Sequence, residues 1–119
     1  MKLYLKLAFV MLLVSTSSAF AELKTIGEGA DMQAEIGVFP PEMKEAYSLF
    51  KVKCSKCHAL ERTFITLQTG LTPAGGPFGR PAIQVYGEKM LRKPDTGMSK
   101  NDVAITNKLL IYMLDLAGN

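Results

Sequence analysis

Residues 54–58 read Cys54-Ser55-Lys56-Cys57-His58, a C-x-x-C-H pattern, and no other stretch restricts what this chain can become so tightly. Two thiols three positions apart lie on one turn of backbone. Each can add its S–H across a vinyl group on the same porphyrin edge, and the adjacent imidazole then meets the iron. The pattern is that of covalent c-type haem attachment. These are the only two cysteines and the only histidine of the chain. Other uses of a CxxC pair fit less well. A structural zinc site takes four ligands, and no second Cys/His pair exists. A thioredoxin-like redox pair belongs beside a βαβ pattern, and none is legible. A disulfide between the two would close a very short loop and stabilise little.

The first residues carry a second signal. Lys2 and Lys6 make a positive start, Leu7 to Val14 a short apolar run, and Ala19-Phe20-Ala21 an A-x-A-like cleavage site. The apolar run is well short of the ~20 residues a spanning helix needs. Residues 1–21 are therefore expected to be a secretory signal peptide, with no membrane anchor after processing and a periplasmic location for what remains. Processing leaves 98 residues, with 12 Lys+Arg against 11 Asp+Glu. A balance so near neutral gives no footing for nucleic-acid binding, which wants a clearly basic face. The charge is uneven, since Lys51, Lys53 and Lys56 crowd the attachment motif. They form either ordinary solvated charge or a patch that steers an acidic partner.

Residues 22–41 read as a lead-in, in part loose or wrapped over the surface, with scattered glycines and acids before Pro40-Pro41. From Glu42 to about Lys53, Met43, Ala46, Tyr47 and Phe50 recur at helical spacing, so a helix runs straight into the motif. Residues 64–81 are rich in Gly and Pro and read as a long loop. A short helix is expected over about 82–92, with Gly87 as its weak point. The last helix is the clearest: Ser99 and Asp102 form an S-x-x-D start, and Ile105, Leu109, Tyr112, Met113 and Leu116 make one apolar stripe. Gly118 ends it. No strand pattern persists, and the fold class read from the residues is all-α.

The order of these features resembles the class I monohaem c-type cytochromes over about residues 42–119: helix, CxxCH, wrapping loop, short helix, methionine, C-terminal helix. The resemblance implies a small cytochrome c-type fold, with the terminal helices crossing beside one covalent haem c. Phe50 and Tyr112 are the aromatic candidates for that crossing. It also implies a methionine, shortly before the last helix, as the second axial ligand. The chain departs from the family in lacking tryptophan, and Gly76-Pro77 lies farther past His58 than the usual Gly-Pro.

With one histidine, bis-histidine ligation within a chain is impossible. Of the methionines after position 21, Met113 belongs to the apolar stripe, and Met32 and Met43 precede the motif. Met90 and Met98 remain. Met98 and Val103 occupy the two positions of a hydrophobic staple around the Ser99 cap, which gives Met98 a structural role. The stretch from Met90 to Ser99 also resembles a subgroup with Met-x-x-Lys-Pro-Gly ahead of Ile-Ser, in which the first methionine ligates. Met90 is the preferred ligand and Met98 the alternative. Arg62, Arg80 and Tyr86 are candidates to hydrogen-bond a haem propionate, and His58 is expected to give its second ring N–H to a backbone carbonyl.

The function expected is a periplasmic one-electron carrier, not an enzyme, that meets larger redox proteins transiently at the haem edge. Two rivals keep the haem and change its use. A gas or redox sensor would have a weak or open sixth position; a peroxidase-like enzyme would need a distal acid–base histidine, which the chain does not have. A dedicated subunit of an oxidoreductase complex would keep the same chemistry.

Overall fold

The computed structural model describes residues 22–119, so the expected signal peptide at 1–21 lies outside the described residues. A two-stranded antiparallel ribbon, β1 (Thr25–Ile26) and β2 (Gln33–Ala34), precedes four helices. These are α1 (Pro41–Cys54), α2 (Glu61–Thr69), α3 (Arg80–Arg92) and α4 (Lys100–Leu116). The helical architecture agrees with the all-α reading. None of the described helices is long and apolar enough to cross a membrane.

The start of α1 follows from Pro41, whose fixed φ suits the first turn and whose missing N–H would have had no helical partner. Ala46, Tyr47, Phe50 and Cys54 are its buried stripe. The last helix begins as its sequence dictates. The Asp102 N–H donates to the Ser99 hydroxyl and the Ser99 N–H to the Asp102 carboxylate, both at 3.0 Å. At its far end Gly118 adopts φ 81°. There the Gly118 N–H donates to the Asp115 carbonyl and the Asn119 N–H to that of Leu114, the paired bonds of a Schellman stop.

Three expectations need correction. Residues 64–69 are not loop but most of α2. Leu60, Phe64 and Leu67, at i, i+4 and i+7, are buried, and Gly70 at φ 67° ends the helix with its N–H on the Thr66 carbonyl. The loop shortens to the residues between α2 and α3 and closes on itself. Thr72 and Gly76 share a backbone bond of 2.8 Å, and the Phe78 N–H reaches the Gly70 carbonyl at 2.8 Å. Of the two readings of the lead-in, loose or wrapped on the surface, the second is the nearer, and it goes deeper than the surface. Leu23, Ala34 and Phe39 join the core of α1 and α4, and the Ala34 N–H donates to the buried Tyr47 phenol oxygen at 2.8 Å. Gly87, finally, is no weak point but the place where α3 meets α4. A Cβ there would lie 2.9 Å from Val103 Cγ1 and 2.8 Å from Asn107 Oδ1.

The terminal helices α1 and α4 pack together, as does α3 on α4. The two aromatic residues expected at the α1–α4 crossing are joined through Phe39, whose ring also lies 6.2 Å from that of Tyr47. Phe50 stacks with Tyr47 and Phe64 at centroid separations of 5.8 and 6.2 Å. Tyr112 takes Phe39 edge-on at 5.0 Å. The lead-in thus inserts a ring between α1 and α4 where the sequence suggested direct aromatic contact.

Candidate functional site

Cys54 is the last residue of α1 and the last of its buried stripe, 6% exposed. Burial, with a smaller contribution from the neighbouring Cys57, pushes its thiol up to about 11. Ser55 closes the helix in the αR region, with its hydroxyl donating to the Lys51 carbonyl. The chain then turns outward, so that Cys57 and His58 are exposed, before Leu60 returns to the core and α2 begins. Both thiols are free. The motif therefore straddles the edge of the core, one sulfur inside and the other at the surface.

His58 is not randomly oriented. Its Nδ1 lies 3.1 Å from the Ala59 carbonyl oxygen. A carbonyl only accepts, so Nδ1 is the donor in this contact, and Nε2 is the nitrogen left to face a metal. The hydrogen bond to a backbone carbonyl expected of this histidine is present.

The turn that carries the two candidate methionines is held against the same end of α1. Met90 lies in the last turn of α3, and Met98 precedes the Ser99 cap; both are half-buried. Between them, Thr96 is buried and its hydroxyl lies 3.1 Å from the Met90 carbonyl. The Lys53 ammonium, one residue before Cys54, donates to the Gly97 carbonyl at 2.8 Å and lies 3.9 Å from the Asp102 carboxylate. A Cβ on Gly97 would stand 3.6 Å from Lys56 Nζ. Attachment motif and methionine turn are thus brought together. The Ser99 N–H holds the Asp102 carboxyl below its ordinary range, helped by the Ser99 hydroxyl and Lys53, against a smaller upward effect of burial.

The residues proposed for propionates are scattered. Arg62 is exposed on α2 and lines a cavity of about 420 Å³ with Ile65, Thr69 and Leu71. Arg80 lies at the start of α3, about 15 Å along the axis from Met90 at 1.5 Å per residue, and makes both of its contacts with the Asp115 carboxylate, at 2.8 and 3.0 Å. Tyr86 is 38% exposed, beside Phe78 at 5.9 Å and beneath Lys89. Sequence reasoning missed Thr96, and it read Lys53 as solvated or steering charge and not as a tether. A threonine inside Pro-Asp-Thr-Gly was a local signal for a side chain bonding nearby backbone; nothing in the sequence pairs Lys53 with Gly97.

The exposed apolar residues bear on what this region could hold. Ile65 and Leu71, 46% and 49% exposed, line the cavity on α2, the helix that follows the motif, and Val52 near the end of α1 is 62% exposed. Neither the two cysteines nor His58 lines that cavity; what suits haem c is the donor set itself, two thiols and one imidazole. No family model, curated protein or solved structure matches the chain.

Proposed function

We propose that this chain is a monohaem c-type cytochrome of the class I kind, attached through Cys54 and Cys57 and working as an electron carrier. The observation that carries the reading is His58, alone of its type, next to the second thiol, with Nδ1–H committed to the Ala59 carbonyl. When bound, the haem supplies a one-electron ferric/ferrous couple. The residues of the chain set its terms. His58 would supply one ligand to the iron, its ring steadied by the Ala59 carbonyl. Met90 would supply a soft thioether, with Met98 as the alternative, and such His/Met ligation would raise the reduction potential. With both ligands coming from the protein, substrate would have no entry to the metal, and a carrier role would follow. The small interfaces of transient redox complexes suit docking near exposed Lys56. The signal-like start of the sequence supports export to the periplasm, where such attachment takes place in bacteria.

The test is expression with a haem-c maturation system, followed by mass spectrometry and carbon monoxide titration of the ferrous protein. One haem per chain is expected, lost in the Cys54→Ala/Cys57→Ala double variant, with a visible spectrum that carbon monoxide leaves unchanged. Ready carbon monoxide binding would instead favour the sensor. Chains that mature without haem would overturn the reading altogether.

A further inference from the structure

The turn between α3 and α4 is organised around one side chain. Thr96 is 7% exposed, and its hydroxyl touches backbone at both ends of the turn. It lies 3.1 Å from the Met90 carbonyl and 3.3 Å from that of Lys93, and it accepts the Met98 N–H at 3.4 Å. A hydroxyl has one proton to donate and can accept through its lone pairs. It therefore donates at the α3 end, chiefly to Met90, while receiving Met98 at the α4 end. Met90 and Met98 are fixed relative to each other through a single oxygen. The turn as a unit has a second tether, from the Lys53 ammonium to the Gly97 carbonyl at 2.8 Å.

These contacts close the turn on the backbone of both methionines. Proline at 94 and glycine at 97, the latter at φ 63°, already suit a reversal of the chain. The added bonds converge on the two methionines and on the helix that ends in Cys54. We infer that Thr96 is a positioning residue for the sixth haem ligand, holding the Met90 backbone so that its thioether stays on the iron, with Lys53 as the second tether. The inference rests on the haem reading above and deepens it. A thioether has no charge with which to hold its place on a metal, so the stiffness of its backbone sets how often the position opens. Removing the hydroxyl frees the end of α3 from the turn and raises the open fraction, roughly tenfold for one hydrogen bond of ordinary strength.

The experiment compares holoprotein of the wild type with Thr96→Val, Thr96→Ser and Lys53→Met, reading carbon monoxide affinity of the ferrous form and the reduction potential. Thr96→Val keeps the volume and removes the hydroxyl. It is expected to bind carbon monoxide at concentrations that leave the wild-type spectrum unchanged, its open fraction being about tenfold higher, and to have a lower potential, as thioether stabilisation of ferrous iron is lost. Thr96→Ser restores both readouts, and Lys53→Met moves them in the direction of Thr96→Val. If the wild type excludes carbon monoxide and Thr96→Val matches it in both readouts, the role of Thr96 is overturned and the haem reading stands. Failure of serine to rescue overturns the role of the hydroxyl. Should Thr96→Val not mature, Lys53→Met decides, and unchanged readouts there overturn the clamp. A wild type that itself binds carbon monoxide readily overturns the sixth-ligand reading and this inference with it.

Discussion

Gly87 of α3 lies directly against Asn107 of α4, so closely that a Cβ would come within 2.8 Å of the asparagine Oδ1 and 2.9 Å of Val103 Cγ1. The amide tip of Asn107 can swing aside, but the short branched side chain of Val103 cannot move far. Gly87→Ala should therefore destabilise the fold by about 1 kcal/mol, because overpacking of 1–3 kcal/mol outweighs the gain of up to ~1 kcal/mol in helix propensity. Gly87→Leu should be worse. Urea unfolding of the two variants checks this, and a stabilised Gly87→Ala would show that the helices separate without cost.

The lead-in is bonded to the first helix through Tyr47. Its phenol oxygen takes the Ala34 N–H, and burial raises the phenol above its ordinary range, partly offset by that N–H. In Tyr47→Phe the N–H is left buried without its acceptor, a loss of roughly 1–3 kcal/mol. Hydrogen exchange should speed first at Ala34 and its β1 partner Thr25. Unchanged exchange there would mean the ribbon does not depend on the phenol.

What could be read from the sequence divides along physical lines. Local signals were sufficient for α4, since a Ser99–Asp102 capping box and a stripe ending at Gly118 depend only on neighbouring residues. The same holds for α1, started by Pro41. The missed α2 is built from Thr63, Ile65, Thr66 and Thr69, residues of modest helix propensity, and Leu60, Phe64 and Leu67 were overlooked at its core-facing spacing. Tertiary partners were out of reach. Arg80 found Asp115, Lys53 found Gly97, and Tyr112 found Phe39 from a segment read as loose or wrapped over the surface. In the candidate site, the motif and its neighbouring methionines were legible, and the hydroxyl between those methionines was not.

Thr106 faces the core of α4 at 1% exposed, and its hydroxyl has no hydrogen-bond partner among the described residues. An unpaired buried hydroxyl costs free energy that a methyl group does not. Thr106→Val should accordingly stabilise the protein by about 1 kcal/mol, seen as a raised denaturation midpoint at unchanged slope. Destabilisation would show that the hydroxyl is satisfied, for example by a buried water.

The capping box gives α4 a pH dependence of known sign. The folded protein holds the Asp102 carboxyl below 3.8 through Ser99, so its contribution is present in full above that value. It is lost as pH falls through the lower, folded value. Ser99→Ala should cost about 1 kcal/mol at neutral pH, while the loss seen in Asp102→Ala, which removes the carboxylate that the Ser99 N–H holds, should shrink as the solution is made more acid. Denaturation midpoints measured between neutral and strongly acid pH test both; a difference that does not change with pH would remove Asp102 from the account.

Cys54 and Cys57 share a motif yet differ in environment, and the polypeptide expressed without haem maturation should show it. Cys54 is buried with its thiol raised from 9.0 to about 11, while Cys57 is exposed. A thiol alkylates as its thiolate, and a rise of this size cuts the thiolate population near neutral pH roughly a hundredfold from that of an ordinary thiol. Burial then limits access as well. Iodoacetamide should label Cys57 first and Cys54 only as the fold opens, an order that peptide mapping by mass resolves. The same shift predicts that the unliganded fold weakens as pH rises from 9 through 11, because folding favours the neutral thiol and the unfolded chain loses its proton sooner. Cys54→Ser should flatten that alkaline loss. Equal labelling of the two cysteines in the folded chain would mean that the end of α1 frays.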